Sequence, residues 1–84
     1  MTNKLFADLA RQMRVLSAPI RLSILDLLKG RSLCVNALTC WLGVTQGAVS
    51  QHLRILRDAG LVGAEKRGYY VHYSLEETKL ADVR

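Results

Sequence analysis

Residues 42 to 62 read LGVTQGAVSQHLRILRDAGLV, and they contain the signals for two helices joined by a short turn. Gly43 is predicted to end the first helix, because glycine readily adopts the left-handed conformation common at helix C-termini. Thr45 is the predicted N-cap of the second helix, which is expected to end at Ala59-Gly60. The apolar residues at helical spacing that predict the buried face of this second helix are Val49, Leu53 and Leu56.

The residues before this stretch predict two more helices. The first has its apolar positions at Leu5, Leu9, Met13 and Leu16. The next begins at Pro19, whose missing N–H costs nothing in a first turn, and runs to about Lys29 before Gly30. Residues 33–35 are short and apolar, so they predict a brief extended piece. It leads into the helix that ends at Gly43, with the apolar stripe Val35, Leu38 and Leu42.

Beyond Gly60 the apolar period changes from helical to alternating, which predicts two β-strands. Residues 61–66 form the first strand, and Arg67-Gly68 is the predicted turn of a hairpin. In the second strand, one face is expected to carry Tyr69, Val71, Tyr73 and Leu75, and the other Tyr70, His72 and Ser74. Residues 76–84 could begin one more helix of about two turns.

This order of elements is typical of a winged helix-turn-helix. The expected fold class is α+β and mainly helical, with a helix bundle followed by a two-stranded β-hairpin wing. Because domains are usually about 100–150 residues long, residues 1–84 are expected to form one DNA-binding domain of this kind.

The composition excludes several classes of protein. Half of the residues are hydrophobic and 23% are charged, which argues against a disordered chain. Twelve Lys and Arg against seven Asp and Glu give a net charge of +5, which favours nucleic acid over membrane as a partner. The sequence has no Ser-His-Asp set, no phosphate loop and no clustered carboxylate pair. We therefore expect neither an enzyme nor a cofactor.

The chain is expected to be cytoplasmic. Asp8 lies where a signal peptide would have its apolar region. Residues 32–53 carry no formal charge over 22 positions, which is long enough to span a bilayer. Their amide and hydroxyl side chains argue against a membrane span, because each unsatisfied group would cost several kcal/mol in lipid. The two cysteines are accordingly expected to be reduced thiols.

One face of the second helix in residues 42–62 is free of core residues and is expected to enter the major groove, which is about 12 Å wide. Glutamine can bond bidentately to adenine, serine can bond to several bases, and glycine lets the backbone approach closely. Lys66 and Arg67 at the hairpin tip are expected to reach phosphate or the minor groove. The candidate DNA-binding residues are Thr45, Gln46, Gly47, Ser50, Gln51, His52, Arg54, Lys66, Arg67 and Tyr69.

Each of these features also has a purely structural interpretation. The polar residues of the helix could form a solvated face, and Lys66-Arg67 could protect a strand edge from aggregation. Tyrosines and Trp41 are more often packing or interface residues, and His52 is more often a structural hydrogen-bonding residue than a metal ligand. The joint order of the elements, together with the basic charge, favours DNA binding over these alternatives.

Three segments resemble the ArsR/SmtB-type repressors. Residues 42–62 are similar to the helix-turn-helix of that family, residues 16–25 (LSAPIRLSIL) to the entry of its second helix, and residues 68–75 (GYYVHYSL) to its wing. The resemblance covers roughly residues 5 to 75. It implies a homodimeric transcriptional repressor that binds an inverted-repeat operator in double-stranded DNA and releases it when an inducer binds. The sequence does not identify that inducer.

A homodimer is also expected from the residues themselves. Leu5, Phe6, Leu9 and Met13 form an apolar stripe on a first helix that has only one small domain to cover it. Exposed apolar patches of several hundred Å² usually mark an interface, and two-fold symmetry is the common solution.

No metal site is expected, with Cys34 as the one candidate ligand. One metal site of the resembled family uses Cys-Val-Cys at the start of the third helix, and here Asn36 replaces the second cysteine. Cys40 is six residues beyond Cys34, about 240° away around a helix, so the two thiols leave it on different sides. We interpret Cys34 as a small buried hydrophobe and Cys40 as a surface thiol. A site completed across the dimer is the remaining alternative.

Two other functions stay open at this point. A winged helix can serve as a protein-interaction module, with its recognition face packed on a partner. The chain could also be a thiol- or metal-responsive switch.

Overall fold

A computed structural model describes residues 4–76, and in this part of the chain four helices lead into a three-stranded antiparallel sheet. The elements are α1 Lys4–Leu16, α2 Pro19–Leu27, β1 Leu33–Cys34, α3 Val35–Leu42, α4 Gln46–Asp58, β2 Val62–Arg67 and β3 Tyr70–Leu75. The predicted helix start at residues 76–84 lies almost wholly outside the described residues. No helix within residues 4–76 is long and apolar enough to cross a membrane.

The helix α2 begins at Pro19 as predicted but ends at Leu27, two residues before the predicted Lys29. After Leu27 the backbone winds into a tighter turn of the 3₁₀ type. The N–H of Lys29 bonds to the carbonyl of Asp26, three residues back, at 3.2 Å. Gly30 follows with φ +68° and turns the chain away.

The α3–α4 turn has the predicted capping residues. Gly43 has left-handed φ and ψ values of 67° and 27°, and its N–H bonds to the carbonyl of Thr39 at 2.8 Å. Thr45 is the N-cap of α4, where its Oγ1 accepts the N–H of Ala48 at 3.1 Å. Replacing such a threonine with alanine typically costs about 1 kcal/mol of folding stability. This turn fixes the first residue of α4 relative to α3.

The sheet has the order β1-β3-β2 within the described residues, so the prediction of a two-stranded wing was incomplete. The short strand β1 pairs antiparallel with β3, with Leu33 opposite Tyr73 and Cys34 opposite His72. An extended segment needs partners for its backbone hydrogen-bonding groups, and the outer edge of β3 provides them.

The predicted position of the hairpin turn was wrong by one residue. Arg67 is the last residue of β2 and pairs with Tyr70, so the two-residue loop is Gly68-Tyr69 rather than Arg67-Gly68. Gly68 has φ +63°, and no residue other than glycine has a positive φ in the described chain. A type II′ hairpin turn needs a positive φ at the first of its two loop positions only, and glycine usually fills that position. Tyr69 is therefore at the tip of the hairpin and not on the β3 face that carries Tyr73.

The core is formed by α2, α3, α4 and the start of β2. Its buried side chains are Ile24, Leu28, Leu38, Val49, Leu53, Leu56, Leu61 and Val62. The three core positions predicted for α4 are thus confirmed, each at most 1% exposed. The helix α1 contributes no buried residue; only its C-terminal Val15 and Leu16 pack against the core.

Candidate nucleic-acid interface

The helix α4 presents one polar face to solvent. Its buried residues lie on one side, and the exposed residues on the other include Gln46, Gly47, Ser50, Gln51 and Arg54, all five predicted. Because α4 is anchored by fully buried side chains, this exposed face is held rigidly. We call these five residues the α4 face.

His52 differs from the residues of the α4 face. It is half-buried, and its Nδ1 is buried and makes no hydrogen bond within residues 4–76. Its ring therefore lies at the edge of the α4 face, closer to the protein interior than the other predicted DNA-binding residues. The side-chain oxygen of Thr45 is directed to the helix backbone by its capping hydrogen bond.

The first residue of α4 contacts the preceding helix. Nε2 of Gln46 donates a hydrogen bond to Oδ1 of Asn36, which is the second residue of α3. Asn36 was not among the sequence-predicted site residues. The two residues are ten positions apart, on different helices, and no local pattern in the sequence indicates that they meet.

The hairpin has Lys66 and Arg67 at its tip, as predicted, and Tyr69 joins them there because it lies in the loop and not on the β3 face where it was expected. All three are exposed, and Tyr69 is 98% exposed. Arg67 is already engaged: its Nε donates to Oε1 of Glu65 at 2.8 Å, and its Nη1 donates to Oγ of Ser32 at 3.2 Å. The hydrogen bond from Arg67, followed by its positive charge, holds the pKa of Glu65 below the ordinary value of 4.5.

A groove of about 270 Å³ lies between α4 and the sheet. Ser50, Arg54, Arg57 and Tyr73 line it together with Asp58 and Leu53. Sequence reasoning missed Arg57, although its position three residues after Arg54 was a usable signal. Arg54 and Arg57 give this groove two positive charges against the one carboxylate of Asp58, which suits a backbone phosphate.

The helix α1 exposes its apolar stripe. Leu5, Phe6, Leu9 and Met13 are between 52% and 68% exposed. Beside this stripe, Nε2 of Gln12 donates to the carbonyl of Ala59 at 3.2 Å and holds α1 to the end of α4. The stripe is therefore directed outward, as the dimer prediction requires.

Among the described residues, the two cysteines are not part of a metal-binding cluster. Cys34 is half-buried rather than buried, which corrects the prediction, because β1 lies at the edge of the sheet. Cys40 is exposed on α3, as predicted. Within residues 4–76 no group of three or more His, Cys, Asp or Glu side chains is arranged to hold a metal ion.

Comparison with known proteins connects this geometry to one family. Residues 18–63 match the family model described as bacterial regulatory protein, arsR family. The chain is 42% identical over 71 residues to the HTH-type transcriptional repressor SmtB of Mycobacterium tuberculosis, covering 84% of this chain and 53% of that protein. It is 33% identical to the transcriptional repressor SdpR of Bacillus subtilis, covering 82% of this chain and 77% of that one. The chain thus spans about half the length of SmtB.

Solved structures extend the similarity to the whole described fold. The crystal structure of M. tuberculosis Rv0081 superposes with a TM-score of 0.87 at 31% identity, covering 98% of this chain and 83% of that one. The homodimeric winged helix-turn-helix DNA-binding domain Mb0332 from Mycobacterium bovis superposes with a TM-score of 0.84 at 28% identity, covering 99% and 80% of the two chains.

Proposed function

The chain belongs to the ArsR family of bacterial regulatory proteins, and from this premise we propose that it is a sequence-specific DNA-binding transcriptional repressor. It acts as a homodimer on an inverted-repeat operator in double-stranded DNA and is released by an inducer. Residues 1–84 serve as one DNA-binding domain, in the cytoplasm, where a bacterial regulator meets the chromosome. It has no catalytic role.

The observation that carries this assignment is the α4 face, which is polar, exposed and held rigidly by a buried apolar stripe. The α4 face carries no negative charge, so phosphates on the groove walls do not repel it. Gln51 and Ser50 supply hydrogen-bonding groups for base edges, and Gly47 permits a close backbone approach. The N-terminus of α4 adds a partial positive charge that attracts phosphate.

Positive side chains lie along the hairpin side of α4, one of them on the α4 face itself. Arg54 and Arg57 line the groove between α4 and the sheet, and Lys66 and Arg67 are at the hairpin tip. When α4 enters the major groove of a duplex, one phosphate backbone passes the protein groove between α4 and the sheet. Base contacts on α4 would then give specificity, while these four cations would give affinity.

The homodimer is supported by the exposed stripe of α1. Within residues 4–76, Leu5, Leu9 and Met13 are each more than half exposed, whereas Val15 and Leu16 at the C-terminal end of α1 pack against the core. The similar Mb0332 domain is itself homodimeric. Two copies related by two-fold symmetry would present two α4 helices, which matches an inverted repeat.

The salt dependence of binding to a random-sequence duplex tests the DNA assignment. Counterion release predicts a linear fall of log K with log salt concentration, with a slope of about −0.9 for each phosphate neutralised. Arg57→Ala should make this slope shallower by about one unit for each protein chain bound to the duplex. Lys29→Ala is the matched control: it removes an exposed cation, paired with Asp26 at 3.4 Å, that lies outside the α4 face and hairpin.

A protein-interaction module would behave differently. It would bind the duplex weakly and without a defined slope, and the Arg57 and Lys29 variants would be indistinguishable. That outcome would contradict the proposed function.

A further inference from the structure

Tyr73 lies between the core and the groove that α4 forms with the sheet. It is half-buried, and its side chain packs against the core. The same side chain lines the groove of about 270 Å³, together with Arg54 and Arg57 of α4. The tyrosine is therefore held in place by packing while it borders the space between α4 and the sheet.

The polar end of this tyrosine has no partner in the described part of the chain. Oη of Tyr73 makes no hydrogen bond within residues 4–76, and it is not among the buried polar atoms that lack one. The hydroxyl group is therefore accessible to solvent, and it can donate its proton to an acceptor that enters the groove.

The two arginines of the groove are also without partners. The side chains of Arg54 and Arg57 make no hydrogen bond or ion pair within residues 4–76, although Asp58 borders the same groove. By contrast, the guanidinium group of Arg67 is already hydrogen-bonded within the hairpin. The groove thus brings together donors from α4 and β3 whose N–H and O–H groups are all available.

We propose that Tyr73 is a further DNA-contacting residue, whose hydroxyl group donates a hydrogen bond to the backbone phosphate that Arg54 and Arg57 attract into the groove. This role rests on the proposed DNA-binding function. Tyrosine is among the side chains that contact DNA phosphates. A hydrogen bond from its hydroxyl group to a charged phosphate oxygen is charge-assisted, and it is stronger than a bond between two neutral groups.

The tyrosine supplies a fixed donor, which the arginines do not. Arg54 and Arg57 are exposed, and long charged side chains lose rotamer freedom when they are ordered on a phosphate. Tyr73 is already ordered by its packing, and its strand is paired on both sides, with Leu33 opposite it on β1 and Ala64 on β2. Tyr73 therefore sets where the phosphate binds, while the arginines supply the charge that attracts it.

Tyr73→Phe tests this role, because it removes the hydroxyl group and keeps the ring. Fluorescence anisotropy with the full chain should show a Kd about threefold to tenfold higher for each protein chain bound, on random and selected duplexes equally. The slope of log K against log salt concentration should stay at the wild-type value, since no charge is removed. Arg57→Ala should make that slope shallower instead.

Tyr70→Phe is the matched control. Tyr70 is 55% exposed on the same strand, and it does not line the groove. Its Kd should equal that of the wild type. Both variants should melt at the wild-type temperature, since neither hydroxyl group is hydrogen-bonded within residues 4–76.

Neutral phosphate analogues locate the contact on the DNA. In a duplex that carries the selected site, one methylphosphonate replaces a charged phosphate oxygen with a methyl group. At the phosphate that lies in the groove, Tyr73→Phe should cost much less affinity than on the unmodified duplex, because both changes remove the same interaction. At other phosphates the two losses should add.

Two results would overturn the role of Tyr73. One is a Kd for Tyr73→Phe that equals that of Tyr70→Phe, and the other is additive losses at every phosphate position. Failure of the proposed function looks different, because the wild type itself would then bind the random duplex without a defined salt slope.

Discussion

Nε of Arg67 and Oε1 of Glu65 lie 2.8 Å apart on the hairpin strand β2, two residues from each other along the chain. Both side chains are more than half exposed, so this ion pair adds little to folding stability. Its position matters more, because it places a carboxylate beside a cation proposed to contact DNA. Glu65 therefore limits the positive charge that the wing presents.

Glu65→Gln should strengthen binding to every DNA sequence. The substitution removes a charge that repels phosphate and releases the Arg67 guanidinium, so we expect a Kd several-fold lower on both random and selected duplexes. Fluorescence anisotropy at several salt concentrations measures this, and the slope should steepen by up to one unit. Asp26→Asn is the control, since it breaks the Lys29 ion pair on α2 instead. Equal effects of the two variants would contradict the account.

The Glu65 ion pair also predicts a pH dependence of stability. Arg67 lowers the pKa of Glu65 in the folded chain, so its stabilising effect is present above the ordinary value of 4.5 and is lost as pH falls through the lowered value. Thermal melting of the wild type and Glu65→Gln should therefore converge as the pH falls below 4.5 and through the lowered pKa of Glu65. The difference above that pH should be small, because both groups are exposed. A difference that grows toward low pH would have the wrong sign.

Gly47→Ala should separate stability from DNA binding. A Cβ at Gly47 would meet no atom of the protein within 4 Å, and alanine favours helix over glycine, so the free energy of unfolding should rise by about 0.5 kcal/mol. Operator affinity should fall nevertheless, because the added methyl lies on the α4 face. Chemical denaturation and anisotropy measure the two effects. Unchanged affinity in a stabilised variant would show that the backbone at Gly47 does not approach DNA closely.

Charges on the α1 stripe should abolish the dimer. Leu9→Glu with Met13→Glu places two carboxylates in the proposed interface, and the fold should tolerate them because neither residue is buried. Sedimentation at micromolar concentration should show a dimer for the wild type and a monomer for this variant. Leu22→Glu is the control, since Leu22 is 51% exposed on α2 and lies outside the stripe. A monomeric wild type, or a variant that still dimerises, would contradict the proposed interface.

Local features of this fold were predictable from the sequence. The α4 stripe, the Thr45 cap and the Gly43 C-cap each depend on a few neighbouring residues, and all three were confirmed. The α4 face followed directly, because a helix with one buried stripe exposes the opposite side.

Features that depend on distant residues were not predictable in the same way. The strand β1 pairs Leu33 with Tyr73, which is forty positions away, so its membership of the sheet required the tertiary fold. The Asn36–Gln46 hydrogen bond likewise depends on how α3 and α4 cross. The hairpin loop was misplaced by one residue because Gly68 satisfies either turn position locally, and only the pairing of Arg67 with Tyr70 decides between them.

Sequence selection with wild type and Gln51→Ala tests most directly whether the α4 face reads DNA. The wild type should enrich an inverted repeat whose half-sites are centred about one helical turn, or a multiple of it, apart. Gln51→Ala should lose the preference at one base pair in each half-site and weaken the best site by about 1–3 kcal/mol. A wild type that enriches no sequence, or a Gln51→Ala variant with an unchanged preference, would contradict the placement of α4 in the major groove.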